Sequence, residues 1–117
     1  MRHRRERKKL VPTAREQKGL MLNLLKALFK HQEIKTTRAR GKELKKLAEH
    51  LITVAKKSDV YSRRQVFRVV RDKAMTKDLF NSIAPRFAER KGGYTQTIRI
   101  GPRRGDGAEM VLVKLLR

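Results

Sequence analysis

The chain has 117 residues, the size of one domain. It carries 32 Lys and Arg against 11 Asp and Glu, a formal net charge of +21 at pH 7. It has no Cys, which excludes disulfides and thiolate metal sites, and no run approaches the roughly 18 apolar residues of a membrane span. So much like charge repels itself and destabilises a compact state. RNA and DNA are the densest anionic partners that would relieve it. Aromatics make up 5% of the residues, so base stacking is not expected to be the main mode of binding.

The opening "MRHRRERKKL" is crowded with cations and nearly free of apolar side chains. It buries nothing that offsets its ordering entropy, and no apolar stretch follows it as in a secretory signal. It has the Arg content of an organellar transit peptide without the amphipathic, Ser-rich character. We therefore read residues 1–12 as a basic extended arm and residues 13–117 as one domain. Thr13-Ala14-Arg15-Glu16 has the form of a capping box, predicting a helix over 14–30. Leu20, Leu24 and Leu28 form its apolar stripe, widened by Met21 and Leu25. "EIKTT" at 33–37, with three β-branched residues, predicts a strand.

A clean helical period follows over 38–57, with Leu44, Leu47, Ala48, Leu51 and Ala55 on one side. Ser58-Asp59 breaks it. The next, shorter helix begins at a second capping box, Ser62 to Gln65, or is capped by Asp59. Val66, Phe67 and Val70 make its apolar side. A further helix is predicted over 76–84 with Leu79, Phe80 and Ile83 inward, ended or kinked at Pro85. Gly92-Gly93 resets the backbone. "YTQTIRIG" and "AEMVLVKLL" then read as a hairpin around the turn-rich "PRRGDG". The order is arm-α-β-α-α-α-β-β. Helices laid over a small sheet with a C-terminal hairpin would bury the apolar stripes, a two-layer α+β domain.

Catalytic signals are missing. His3, His31 and His50 have no second metal ligand at a useful spacing. Acids are scattered among lysines, as solvated pairs are. "GPRRGDG" is not a P-loop, because no Gly-Lys-Ser/Thr leads into a helix. The leucine stripes read as core, not as a coiled coil or a membrane-surface helix. No cofactor, metal or small-molecule substrate is expected. What remains is distributed positive charge, in which arginines grip phosphate bidentately and lysines act as point charges. No zinc finger, aromatic RNA-binding strand or clear helix-turn-helix is present. The charge thus points to a particular RNA shape, with the arm ordering as it binds. An architectural DNA-binding protein, or another RNA-binding protein, is the alternative that charge alone allows.

The opening "MRHR", "HQEIKTTRARGKELKKLAEHLITVAKK", "RRQVF", "LFNSIAPRFAERKGGYT" and "RRGDGAEMVLVKLL" carry a family pattern, in order, over nearly the whole chain. In these segments the chain resembles the bacterial large-ribosomal-subunit protein seventeen family. The resemblance implies a structural protein of the large subunit. It would bind large-subunit ribosomal RNA on the solvent side near the polypeptide exit tunnel, beside neighbouring ribosomal proteins. It implies a cytoplasmic ribosome and leaves an organellar one open. The resemblance carries over Arg2, His3, Arg4, Lys9 and Leu10. It does the same for Thr36, Thr37, Lys42 and Glu43, and for Gly92, Gly93, Tyr94 and Thr95.

Charge adds Arg5, Arg7 and Lys8 in the arm, then Lys35, Arg38, Arg40, Arg63 and Arg64. It also adds Arg103 and Arg104 at the hairpin tip. Between Val11 and Leu22 the chain departs from the family, with Val11-Pro12, Arg15, Glu16-Gln17 and Leu22 in place of the usual residues. Arg15 and Lys18 are the basic residues left there to contact RNA. Gly41 stands where the family usually has Ala, expected to weaken that helix by under about 1 kcal/mol.

Overall fold

β3 (Glu109–Leu115) is the most apolar of the three strands, and its burial alternates with the pleat. Val111, Val113 and Leu115 point to the interior, while Leu112 and Lys114 are half-buried on the other face. A strand this apolar belongs in the middle of a sheet, and it lies between β1 (Glu33–Thr37) and β2 (Thr95–Pro102), antiparallel to both. This computed structural model describes residues 14–116, with side chains described from Glu16 to Leu116. The arm and the Thr13 capping box lie outside the described residues.

The helices cover one face of the sheet. α1 (Ala14–His31) and α2 (Arg38–Ala55) pack on β3, and α3 (Val60–Val70) packs on α2. The α+β architecture and element order expected from the sequence are thus observed. The α1 stripe is rotated from its expected centre. Met21, Leu25, Leu28 and Phe29 are buried, while Leu20 and Leu24 are half-buried. α2 ends at Ala55, two residues early, and its last turn unwinds through Ser58 at a positive φ.

Asp59 caps α3, its carboxylate accepting from the Ser62 N–H at 2.7 Å. The alternative box at Ser62 is not used, because Ser62 is already inside the helix and buried. Val66 and Val70 face inward as expected, but Phe67 does not and is 40% exposed.

The fourth helix is composite. α4 (Lys73–Asp78) starts three residues before the expected position because Asp72 caps it, accepting from the Met75 N–H at 3.2 Å. A π-helical turn (Leu79–Ile83) follows, and α5 (Ala84–Arg86) completes it. Pro85 neither ends nor simply kinks this helix. Its ring lacks an N–H and would clash with the carbonyl four residues back. The widened turn, in which the Ala84 N–H donates to the Leu79 carbonyl, removes that conflict.

Gly41 sits where α2 crosses the sheet. A Cβ there would meet Val111 Cγ2 at 2.7 Å and Val113 Cγ2 at 3.2 Å. The expected cost of this glycine to the helix therefore has a counterpart: it allows close approach of α2 to β3.

Candidate nucleic-acid interface

The hairpin turn after β2 is ordered by its own polar groups. The Arg103 N–H donates to the Ala108 carbonyl at 2.8 Å, and the Gly107 N–H to the Arg103 carbonyl at 3.0 Å. The Arg103 guanidinium grips Asp106 with two bonds, Nε–Oδ1 at 3.1 Å and Nη2–Oδ2 at 2.5 Å. Asp106 also accepts from the Ala108 N–H at 3.1 Å. The Arg103 bond first, and then the Ala108 N–H, hold the Asp106 carboxyl down to about 2, and the same pairing raises Arg103. The sequence reading has Arg103 hold phosphate with this fork, yet the fork is occupied within the turn. Arg104 is exposed and has no partner among the described residues.

Strand register gathers several expected contacts at this end of the sheet. Pro102 pairs with Glu109, and the next β3 residue, Met110, pairs with Thr37 at the start of α2. A one-residue bulge at Ile100, followed by Gly101 at φ 119°, sets this part of β2. Arg38 reaches across to Glu109 at 3.0 Å. Lys35 is exposed on the open face of the sheet, opposite Leu112, while Lys42 is exposed and Arg40 half-buried on α2. Lys18 is exposed on α1, and the Arg15 side chain lies outside the described ones.

Two expected contacts are interior groups. Thr36 is buried on the core face of β1. Tyr94 is 1% exposed, its ring 5.1 Å from that of Phe87. Its hydroxyl accepts from Thr53 Oγ1 at 3.3 Å and Lys56 Nζ at 3.1 Å. Burial pushes the Tyr94 phenol up, but the bonds from Thr53 and Lys56 outweigh it, and the net shift is downward. Beside it, Glu49 accepts from both the N–H and the hydroxyl of Thr95, each at 3.2 Å. The Lys56 ammonium also donates to the Arg90 carbonyl. The Gly-Gly-Tyr-Thr turn is therefore a fold element that locks the start of β2 onto α2. Tyr94 and Thr36, expected as RNA contacts, are thus buried, and their side chains pack in the core.

Arg63 and Arg64 lie in an open groove between α3 and α4 of about 1080 Å³. Arg68, Arg71, Lys73 and Lys77 join them there, and no lining residue is acidic. The sequence expectations missed these four. The helical spacing of Arg64, Phe67 and Arg68 along α3 was the available signal, hidden because Phe67 reads as core in the sequence.

Residues 20–116 match the family model described as Ribosomal protein L17. The match begins at the end of the stretch in which the chain departs from the family pattern. The chain is 44% identical to "Large ribosomal subunit protein bL17" of Desulforapulum autotrophicum over 116 residues, 99% of this chain and 97% of that protein. The bL17 protein of Clostridium perfringens is 46% identical over 109 residues, 93% of this chain and 96% of its own length. That of Clostridium kluyveri is 45% identical over 111 residues, with coverage of 95% and 98%. With identity this high over nearly full length on both sides, the chain belongs to the ribosomal protein L17 family.

Proposed function

We propose that this chain binds large-subunit ribosomal RNA, chiefly through phosphate contacts, near the polypeptide exit tunnel. Its family is structural and non-enzymatic, a component of the large ribosomal subunit, which in bacteria lies in the cytoplasm. The observation that carries the RNA reading is charge balance. Were all 11 acids paired with cations, 21 cations would still be uncompensated, and a dense polyanion supplies what the fold does not. Arg104, Lys35, Lys42 and Lys18 are exposed to meet one. Residues 1–12 enter this proposal on their sequence alone. Extended, the nine residues from Met1 to Lys9 span at most about 30 Å, enough to enter a crevice between RNA helices. Proximity to the exit tunnel rests on the family resemblance, as do contacts with neighbouring large-subunit proteins.

The test is binding of the full chain to protein-free large-subunit RNA over a salt series. If roughly eight phosphates are neutralised, log K falls with log salt with a slope of about −6 to −7. A slope shallower than about −2 would overturn phosphate contact as the source of affinity. Double-stranded DNA of matching length is the control, because an architectural DNA-binding protein would bind it as tightly.

A further inference from the structure

We infer that the groove between α3 and α4 takes an unpaired stretch of RNA, one base stacked on Phe67 and the flanking phosphates held by the surrounding cations. This rests on the RNA-binding reading above and adds which part of an RNA is taken.

Charge argues for a polyanion. Arg63, Arg64, Arg68, Arg71, Lys73 and Lys77 line the groove with no acid among the lining residues. Asp72, next to Lys73 in sequence, is turned away. Its carboxylate accepts from the Met75 N–H and lies 3.8 Å from Lys26 Nζ. Four of the six cations are arginines, which suit bidentate grip of phosphate.

The apolar part of the groove argues for a base beside those phosphates. Phe67 is 40% exposed and Val60 is 65% exposed. Neither contributes to the core of α3, which Val66 and Val70 supply. Arg64, one turn before Phe67 on α3, and Arg71, which ends the helix in a left-handed conformation, line the same groove as the phenyl ring. Phe80 shows the contrast: it is 5% exposed and already has the Arg63 guanidinium 4.9 Å above its ring. An exposed phenyl ring in a groove lined by arginines is the arrangement that binds single strands, because every base has a π-face and the backbone runs alongside. A continuous duplex would satisfy the cations, but it keeps its bases stacked inside and sets phosphate and sugar against Phe67 and Val60. The groove, about 1080 Å³ and open to solvent, has room for one nucleotide and its neighbouring phosphates.

The experiment uses the full chain, a short single-stranded RNA of mixed sequence, and the same strand annealed to its complement, with affinity read by fluorescence anisotropy. Phe67→Ala weakens single-strand binding about 5- to 150-fold, the range for loss of one stacked base, and changes duplex binding by less than about twofold. Phe67→Tyr, which keeps the ring, retains single-strand affinity. Arg64→Ala with Lys77→Ala weakens both probes and makes the salt slope shallower by about 1 to 2 units. Thermal melts of each variant match the parent, since these side chains are exposed. Equal losses on both probes, or loss only in the cation pair, overturn base stacking. If both probes bind with steep salt dependence that no variant alters, the groove faces something other than RNA. The proposal then falls while the RNA-binding reading stands. If neither probe binds, both fall.

Discussion

Gly41→Ala sets two effects of known size against each other. Alanine in a helix interior is favoured over glycine by about 1 kcal/mol. Against that, its Cβ would lie 2.7 Å from Val111 Cγ2, 3.2 Å from Val113 Cγ2 and 3.4 Å from Thr36 Cγ2. The first contact is about 1 Å inside ordinary carbon–carbon separation. Val111 is 2% exposed in the central strand, and its branched side chain is stiff at χ1, so it has little room to give. Overpacking of this kind costs about 1–3 kcal/mol. The balance is a loss of about 0–2 kcal/mol, a fall in Tm of up to roughly 8 °C for a domain of this size. Circular dichroism melts and urea titrations of Gly41→Ala, Val111→Ala and the double variant measure it. The double variant should be less destabilised than the sum of the singles by about 1 kcal/mol or more, because Val111→Ala makes the space that the added methyl group needs. Stabilisation by about 1 kcal/mol, with no coupling to Val111, would show that α2 does not ride this close to β3.

The remaining predictions separate fold from interface. Tyr94→Phe should cost about 0.5–1.5 kcal/mol for each of the two bonds it loses, and Tyr94→Ala about 3–5 kcal/mol, in urea denaturation. Measured on folded protein, RNA affinity of the Phe variant should be unchanged. Asp106 should titrate by NMR near 2, below its ordinary value of 3.8. Because the folded value is depressed, the turn's stabilisation is complete above the ordinary value and is lost as pH falls through about 2. Arg104→Glu should weaken RNA binding without altering the turn. Arg103→Glu should also speed amide exchange at Ala108, because the Asp106 carboxylate then faces a like charge. Deleting Arg2 to Lys9 should leave cooperative unfolding nearly intact and make the salt slope of RNA binding shallower by several units, about 0.9 per lost phosphate contact at most.

Periodicity carried most of the fold. The strand at 33–37, the hairpin and the α2 stripe were legible because one element supplies each pattern. What escaped depends on neighbours distant in sequence. Pro85 signals a break, but whether a helix stops, bends or widens depends on what packs around Leu79, Phe80 and Ile83, all buried. Phe67 has the spacing of a core residue, yet Val66 and Val70 already fill the α2-facing side of α3. Gly41 reads as a weak helix position until Val111, far along the chain, is set against it. At the interface, counting charge finds Arg63, Arg64 and Arg104. It does not distinguish Arg104 from Arg103, which differ in that Asp106 lies within reach of only one. Tyr94 is carried over with its motif, and a motif does not say whether its residues serve the core or a partner.

The most direct test is sedimentation of the tagged full chain from lysate on sucrose gradients, with and without nuclease. The chain is predicted to travel with the large subunit, to be released by ribonuclease and to be indifferent to deoxyribonuclease. Recovery in the nucleoid fraction, or release by deoxyribonuclease alone, would contradict the proposed binding to large-subunit RNA.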